Sequence, residues 1–554
     1  MRLTAEQLAI VASSGDVYVR ACPGAGKTGT LVELAIRATE GAPRSGVAFL
    51  SFTNAAAAEV RERLSMRAPR LLRPPSFVGT FDSFLIRHVL GPDGLRCAPG
   101  VRVQFRESWG ERIGFTVLKG GIPLDVFVPD GRRVRLDDAR AGRDYPARAG
   151  LQRMDNATRK TLEEQAQRRI GAALGKGIAT APFLRSEAAH RLKESITAAR
   201  AAARFAFVLV DEAQDCDALD LQIVTSLRDA SCRCIVVSDP EQGIFRWRGA
   251  DPAALGTLGH AELPLTGNFR STISICAASS SLRASPLPPD TPMGEDRRDR
   301  PVALIIYDSE VGTDISEAFA GLLEAHRIPP GNAIVVAHRE DIARRAVGAE
   351  KVRASTGNGA VIARAVATTA SASDRAAGVE LIEEVLAGSL GNTVPREPAA
   401  RWCRTTARQV LGTVAAGDLN RGACARTREA LATVRPPNSD AFVEEPQKRF
   451  KARDPKGPSP SGTLRTPALR CSTVHGVKGR EFDAVLVVIP SDSHLGELIN
   501  AWHERDGSHE GRAVMYVAAT RARHVLAFAV PRSVSAAVAG LLRSQGAEVV
   551  EINC

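Results

Sequence analysis

Eight short apolar runs, arranged in two separated groups, constrain the fold more than any other feature of this chain. Each run alternates with a longer helix-like segment, and this alternation is typical of parallel α/β domains. The sequence therefore predicts an α/β fold with two parallel sheets flanked by helices. The first group is DVYVRA (16–21), GVAFLSF (46–52), FAFVLV (205–210) and CRCIVVS (232–238), and the second is PVALIIY (301–307), NAIVVAH (332–338), AVLVVIP (484–490) and HVLAFAV (524–530).

Both α/β groups are interrupted by inserts. A chain of 554 residues is too long for one hydrophobic core, because cores stop growing near ~250–300 residues. VFVPDGRRVRL (126–136) predicts a β-hairpin followed by helices. The expected parts are a first α/β domain (1–95 and 201–272), its accessory insert (96–200), a second α/β domain (273–345 and 468–554) and a helical accessory insert with a mobile linker (346–467).

The chain is strongly basic, with a formal net charge of +11 and a pI near 9.4. A field of this sign attracts polyanions, and the abundant arginines suit bidentate contacts to phosphate. A GC-rich genome, which encodes arginine freely, explains the arginine excess equally well. Hydrophobic residues at 44% and charged residues at 24% exclude disordered and collagen-like classes.

The ten cysteines are scattered, and no pair has the CxxC spacing of a zinc knuckle or a redox site. The N-terminal MRLTAEQLAIV has no apolar signal core. No window approaches the ~18 apolar residues of a membrane span. We therefore expect a reduced, cytoplasmic protein that has no membrane partner.

A glycine-rich turn follows the first apolar run and precedes a helix-like segment. In CPGAGKT (22–28) the glycines let backbone N–H groups close around phosphates at a helix N-terminus. Lys27 is expected to reach the β- and γ-phosphates, and the Thr28 hydroxyl to bind Mg²⁺. The strict phosphate-binding pattern, GxxxxGK[ST], has a glycine where this chain has Ala21. The remaining predicted nucleotide-binding positions of this turn are Pro23, Gly24, Ala25 and Gly26.

In FAFVLVDEAQD, two adjacent carboxylates follow the apolar run FAFVLV. They are therefore expected at the sheet edge where open α/β sheets bind ligands. Asp211 is expected to hold Mg²⁺ through its water shell, and Glu212 to orient and deprotonate an attacking water. Together with the glycine-rich turn, this pair predicts hydrolysis of ATP with Mg²⁺.

Several further segments occur in the order found in one family. They are LTAEQLAIV (3–11), LSFTNAAAAEVRERL (50–64), VGTFDSF (78–84), SDPEQGIFRWRGA (238–250), LTGNFRST (265–272), VHGVKGREFDAVLVV (474–488) and MYVAATRAR (515–523). With DEAQD, these segments resemble the UvrD/Rep/PcrA group of superfamily 1 helicases. The resemblance implies two RecA-like P-loop NTPase domains, with ATP bound between them.

The resemblance implies nucleotide-site roles for six further residues. It implies that two arginines, Arg270 and Arg521, stabilise charge on the transferring phosphoryl group. It also implies that Phe269, where relatives usually have tyrosine, stacks on the adenine. The six residues are Gln7 (adenine edge), Phe269 (base stacking), Gln242 (γ-phosphate sensor), Arg270 and Arg521 (transition-state charge) and Glu481 (nucleotide contact from the second domain).

Aromatic residues just beyond strands predict a surface for single-stranded DNA. Base stacking on such rings is worth roughly 1–3 kcal/mol per base and tolerates any sequence. Phe52, Phe245 and Trp247 are the predicted platforms, and Arg246 and Arg248 flank Trp247 as phosphate contacts. Thr80 and His475 are further candidates for contact with the DNA backbone.

Three departures from the family pattern affect these expectations. This chain has Ala55 where relatives have lysine, Gly29 where an arginine is common, and Asp82 where they have histidine. A carboxylate at position 82 would repel a DNA phosphate, which predicts a weaker or rearranged grip there.

By resemblance, the chain is an ATP-dependent translocase or helicase that moves 3′ to 5′ on single-stranded or tailed duplex DNA. One alternative is a DNA-dependent ATPase subunit that serves a partner nuclease or a repair protein, as in Gabija-type phage defence. A second alternative is a non-catalytic DNA-binding module. The pathway stays open between repair, replication, recombination control and phage defence.

Overall fold

The computed structural model describes residues 3–40, 46–91, 93–106, 108–115, 118–131, 133–141, 154–245, 249–284, 290–294, 300–308, 310–348 and 469–554. The chain divides into two compact units, of which Met1–Val347 with Leu469–Cys554 form the first. All the structure described below belongs to that unit. The helical insert and linker predicted at 346–467 lie almost entirely outside the described residues.

Two six-stranded sheets, parallel throughout, form the framework, which confirms the predicted fold class. In the first, the strand order is β6-β1-β5-β4-β2-β3, and in the second it is β9-β8-β10-β11-β7-β12. The strands are β1 (Val17–Ala21), β2 (Gly46–Ser51), β3 (Phe77–Thr80), β4 (Phe205–Val210), β5 (Arg233–Ser238), β6 (Ala261–Leu265), β7 (Val302–Tyr307), β8 (Ala333–Ala337), β9 (Arg470–Thr473), β10 (Phe482–Val488), β11 (Ala522–Pro531) and β12 (Val549–Asn553).

Helices connect the parallel strands. Among the described residues they are α1 (Ala5–Ala12), α2 (Lys27–Glu40), α3 (Asn54–Arg67), α4 (Phe81–Phe84, continued by a π-helical turn over Leu85–Leu90), α5 (Asp138–Ala141), α6 (Asn156–Leu174), α7 (Ala181–Arg191), α8 (Ser195–Arg204), α9 (Ala218–Asp229), α10 (Ile273–Ser281), α11 (Asp314–Ala325), α12 (Glu340–Ala346), α13 (Leu495–His503), α14 (Glu510–Ala519) and α15 (Arg532–Arg543). No helix in this part of the chain is both long and apolar enough to cross a membrane.

All eight predicted apolar runs are strands. The four strands that the apolar pattern did not predict, β3, β6, β9 and β12, are the outer strands of the two sheets. An outer strand has only one neighbour, so its residues need not be apolar on both faces. β6 and β12 show this, since most of their residues are exposed or only partly buried.

The segment between β3 and β4, residues 81–204, is called the β3–β4 insert below. Its predicted hairpin is confirmed: Phe127–Asp130 pairs antiparallel with Arg133–Leu136. A second hairpin pairs Arg112–Phe115 with Leu118–Pro123, and α6, α7 and α8 follow.

The β3–β4 insert shares its hydrophobic core with one face of the first sheet. Leu50 and Val208 of the sheet belong to the same buried cluster as Trp109, Ile170 and Phe183 of the insert. Alternate strand residues point to opposite faces, so Phe49 and Leu209 belong to a separate cluster on the other face. The second sheet has a core of its own.

We predict that truncating Phe84, which is fully buried in this shared core, destabilises the sheet and the insert together. Phe84→Ala should cost about 3–5 kcal/mol and lower the denaturation midpoint followed by circular dichroism. Limited proteolysis should then cut the insert and the first sheet at the same temperature. Met66→Ala, at a side chain that is 72% exposed, is the control and should change little. Release of the insert well before the sheet would contradict a shared core.

Candidate active site

The glycine-rich turn joins β1 to α2 at the carboxyl edge of the first sheet. Gly24 and Gly26 have φ values of +71° and +72°, which L-residues with a side chain rarely adopt. A Cβ on Gly24 would also lie 2.6 Å from both Arg270 Cβ and Asn268 Oδ1. The turn leads into the 14-residue α2, and the first N–H groups of a helix have no carbonyl partner within it, so they can bind an anion.

The departure at Ala21 has a structural explanation. Ala21 is the last residue of β1 and pairs with Leu265, and its side chain is 4% exposed. The methyl group therefore belongs to the core below the turn. Pro23 and Ala25 are buried within the turn, whereas Lys27 and Thr28 in the first turn of α2 are partly exposed.

The two carboxylates stand where β4 ends. The Asp211 N–H extends the ladder by donating to the Leu50 carbonyl at 2.9 Å. Glu212 has φ +55°, a left-handed conformation that costs free energy in a non-glycine residue and is concentrated at functional sites. Lys27 Nζ lies 3.9 Å from Glu212 Oε1. The structure thus places the two predicted motifs side by side.

The two neighbouring carboxylates have opposite pKa shifts. Burial, together with the charge of Glu212, raises the pKa of Asp211 to about 7. Burial also acts to raise the pKa of Glu212, but the positive charges of Lys27 and Lys478 outweigh it, and that pKa falls below its usual value. Glu212 is therefore ionised at neutral pH, while Asp211 lacks sufficient positive charge around it.

This arrangement fits ATP with Mg²⁺. The Asp211 carboxylate and the Thr28 hydroxyl are hard oxygen donors of the kind that Mg²⁺ prefers, and a divalent cation would supply the charge that Asp211 lacks. Cationic side chains and the N-terminus of α2 suit the phosphates.

A chain of hydrogen bonds links the first sheet to the second. Asp239, which follows β5, accepts from Gln242 Nε2 at 2.9 Å and from the Tyr516 hydroxyl at 3.1 Å. Gln242 Oε1 accepts from Arg521 Nη2 at 3.1 Å. Tyr516 lies on α14, which contacts the second sheet, and Arg521 immediately precedes β11 of that sheet. The predicted γ-phosphate sensor is therefore bonded directly to one of the two predicted arginines.

The second predicted arginine also joins the two sheets. Arg270 forms an ion pair with Glu481 and donates from Nη1 to the Thr520 carbonyl at 2.9 Å. Burial, followed by the nearby charge of Arg270, lowers the pKa of Arg521 to about 10, so the Arg521 guanidinium is charged at neutral pH. Burial opposes ionisation of Glu481, but Arg270 and Arg523 hold its pKa below the usual value.

Gln7 and Phe269 both contact the glycine-rich turn. Gln7 is 1% exposed, and its Nε2 donates to the Ala25 carbonyl at 3.2 Å. The Phe269 N–H donates to the Gly24 carbonyl at 2.9 Å. The Phe269 ring lies 4.0 Å from the position a Cβ on Gly26 would take. The structure thus brings both predicted adenine contacts to the turn.

The predicted DNA contacts fall into two groups. Phe52 is partly buried and stacks face to face on Phe81, with ring centroids 5.5 Å apart and an interplanar angle of 11°. Thr80 caps α4, since its hydroxyl oxygen accepts the Ser83 N–H at 3.2 Å. Phe52 follows β2 of the first sheet, and Thr80 is the last residue of β3.

The second group lies at the junction with the second sheet. The Phe245 ring is partly buried against the second core, and His475 lies 5.9 Å away between centroids. Trp247 and Arg248, with Arg246, lie outside the described residues.

Two further site residues, Lys478 and Asp215, lie within the predicted motifs but had no predicted role. Lys478 Nζ lies 2.7 and 2.8 Å from the Asp215 carboxylate oxygens and donates to the Gln242 carbonyl at 3.1 Å. It also lies 4.6 Å from the centroid of Phe245. The opposite charges of Lys478, in VHGVKGREFDAVLVV, and Asp215, in DEAQD, were the available sequence signal. Their pairing, however, depends on how the two sheets meet.

Asp82 has a partner that the sequence did not reveal. Arg185 Nε in α7 lies 3.2 Å from Asp82 Oδ1. The negative charge of Asp82 is therefore offset by a neighbouring guanidinium.

Two family models match the regions that carry this site. The UvrD/REP helicase N-terminal domain matches residues 3–90 and 176–260, and the UvrD-like helicase C-terminal domain matches residues 460–533. The first match includes the glycine-rich turn and the β4 carboxylates, and the second includes Lys478, Glu481 and Arg521.

Three curated proteins are similar to parts of the chain. The ATP-dependent DNA helicase PcrA of Leuconostoc citreum is 25% identical over 292 residues, which are 50% of this chain and 38% of PcrA. The Gabija protein GajB of Bacillus cereus is 24% identical over 272 residues, or 47% of this chain and 45% of GajB. The RecBCD enzyme subunit RecB of Chlamydia trachomatis is 36% identical over 93 residues, or 15% of this chain and 9% of RecB.

The chain spans less than half the length of each of these relatives. Both the N-terminal and the C-terminal family models nevertheless match it in the expected order, and the matched segments contain β1 to β5 of the first sheet and β9 to β11 of the second. The chain therefore belongs to the UvrD-like family of superfamily 1 helicases.

Proposed function

We propose that this chain hydrolyses ATP to move along single-stranded DNA, and that it displaces a complementary strand in the 3′ to 5′ direction. The observation that carries the proposal is the hydrogen bond between Gln242 and Arg521, beside the Lys27–Glu212 pair. It makes one site from the carboxyl edge of the first sheet and a buried arginine of the second.

In the proposed reaction, Lys27 and the N–H groups of α2 bind the phosphates, and Gln7 and Phe269 position the base. Asp211 and Thr28 would hold Mg²⁺, which when bound supplies charge neutralisation for the phosphoryl oxygens. Glu212, ionised by the nearby Lys27, orients and deprotonates the attacking water.

Positive charge from both sheets completes the proposed site. Arg521 and Arg270 stabilise the charge that develops on the terminal phosphoryl group, and Glu481 contacts the nucleotide. Gln242 senses that group and passes its state to Arg521 through their hydrogen bond. Loss of the terminal phosphate would remove the ligand that both sheets bind, so the sheets could move apart.

Coupling to DNA is proposed to run through Lys478. Its ammonium group bonds to Asp215, close to the catalytic carboxylates, and to the Gln242 carbonyl. The same group lies against the Phe245 ring. A shift of the sensor would therefore move a base-stacking platform. Phe52, Thr80, Trp247, Arg248 and His475 are proposed to complete the DNA path.

A second candidate is an ATPase that works as one subunit of a larger enzyme, with a nuclease or a repair protein as its partner. The relative RecB is named as a subunit of the RecBCD enzyme, and another relative is a Gabija protein. In that case DNA would stimulate hydrolysis without strand displacement. Either activity is proposed for the cytoplasm, and the pathway stays open.

One assay with tailed substrates tests the proposal. We expect ATP-dependent displacement of a duplex that carries a 3′ single-stranded tail, and none with a 5′ tail or blunt ends. Stimulated hydrolysis without displacement would favour the second candidate. If oligonucleotides left the rate of ATP hydrolysis unchanged, both candidates would be wrong.

Lys27→Ala should abolish hydrolysis and displacement, because it removes the ammonium group that is proposed to bind the phosphates. We expect the turnover number to fall by at least about 100-fold, measured by phosphate release with saturating DNA. Lys160→Ala, at an exposed position of α6, is the matched control and should retain normal turnover. A Lys27→Ala variant with more than about a tenth of normal turnover would contradict the assignment.

Asp211→Asn should make the protein more stable at pH 8 while it removes ATP hydrolysis. The folded-state pKa of Asp211, about 7, lies above the ordinary value near ~3.9. Ionising the native carboxyl therefore costs stability increasingly from about pH 4 to pH 7, by roughly 1.4 kcal/mol per unit at most. Asparagine avoids this cost. Thermal melts of both proteins should differ at pH 8 and converge near pH 4, and equal melting temperatures at pH 8 would contradict the shift.

A further inference from the structure

One arginine of the β3–β4 insert binds three carboxylates, one at the start of the insert and two in the segment that follows β4. Arg185 Nε lies 3.2 Å from Asp82 Oδ1 and 3.2 Å from Asp220 Oδ1, and Nη1 lies 3.4 Å from Asp217 Oδ2. Its Cζ lies 6.0 Å from the centroid of the Phe52 ring. The Arg185 side chain is 18% exposed and that of Asp220 is fully buried. A single guanidinium thus holds four separate side chains.

These partners surround the first-sheet part of the proposed DNA path. Asp82 lies in the short helix α4 that Thr80 caps, and Phe52 is stacked on Phe81 of the same helix. Arg185 therefore contacts both the ring of Phe52 and the turn that carries its stacking partner.

Asp217 connects the same arginine to the second part of the path. Asp217 caps α9 and forms a capping box with Asp220, which fixes both carboxylates. Its backbone pairs with Ala250, just after the predicted contacts Trp247 and Arg248. The Asp251 N–H, in turn, donates to the Cys216 carbonyl at 3.2 Å.

The contact requires an arginine. A guanidinium offers several N–H donors in a rigid plane, and its face can also lie against an aromatic ring. A lysine ammonium is a compact charge on a flexible stem and cannot span carboxylates on two helices in the same way. Without any cation here, the three carboxylates and the Phe52 ring would have to rearrange.

We propose that Arg185 is a positioning residue, through which the β3–β4 insert sets how firmly the first domain grips single-stranded DNA. The insert shares its core with the first sheet, so α7 is a rigid support for the guanidinium. Arg185 holds the Phe52 ring and the Thr80–Phe84 turn in place without itself contacting the DNA. This inference rests on the proposed function.

The test measures DNA-stimulated ATP hydrolysis by the full chain as oligothymidylate is added. Arg185→Gln should raise the oligonucleotide concentration that gives half-maximal stimulation by about tenfold, comparable to weakening one base-stacking contact. The maximal rate at saturating oligonucleotide should change by no more than about twofold, because the nucleotide site is untouched. Arg185→Lys keeps the charge and should give an intermediate shift, which protects the test if Arg185→Gln folds poorly.

Arg191→Gln is the matched control. Arg191 lies on the same helix, is 15% exposed and pairs with Glu187 and Glu194, all within the insert. Its substitution should leave the half-maximal concentration unchanged. Asp82→Asn combined with Arg185→Gln should recover part of the loss, because one unpaired carboxylate is removed.

Five outcomes decide the matter. A shift in the half-maximal concentration that is specific to position 185 supports the proposal. An unchanged value in both Arg185 variants, or an equal shift in Arg191→Gln, overturns it while the proposed function stands. A fall in maximal rate without a change in that concentration also overturns it. A wild-type chain that DNA does not stimulate overturns the proposed function as well.

Discussion

The hydrogen bond between Arg521 and Gln242 is the contact on which the account of this protein depends. It joins a buried arginine of the second sheet to the segment after β5 of the first. Tyr516 and Lys478 reach the same segment from the second sheet, through Asp239 and the Gln242 carbonyl. Because parallel strands present their carboxyl ends at one edge, residues far apart in sequence meet here. A ligand at this edge is in reach of both sheets.

The electrostatics of the site favour a bound anion and cation together. Glu212 is held ionised by Lys27 and Lys478, while burial leaves Asp211 with a raised pKa. The strained backbone of Glu212 adds a further local cost. Such costs are common where a site is arranged for its ligand rather than for stability. Binding of a nucleotide with its cation would therefore offset the local costs of burying Asp211 and of the left-handed backbone at Glu212.

Much of the fold and the site could be predicted from the sequence, because the strongest signals are local. The central strands are short apolar runs buried on both faces, Asp211 directly follows one of them, and Lys27 follows another after the glycine-rich turn. The outer strands, such as β6, lack this signal because one edge is unpaired. The partners of Lys478 and Asp82 could not be predicted, since ion pairs between distant segments depend on packing that no local pattern encodes. Ala21 shows the reverse case, where a departure from a motif proved to be a core residue.

The central claim is that both sheets bind one nucleotide, and that the second sheet recognises its terminal phosphate. The most direct measurement compares the affinities of the Arg521→Lys variant for ADP and for a non-hydrolysable ATP analogue. The account predicts that the analogue binds at least about tenfold more weakly than to the wild type, as expected when a charged contact loses its geometry, while ADP affinity changes by less than about twofold. Equal effects on both ligands, or no effect on either, would contradict it.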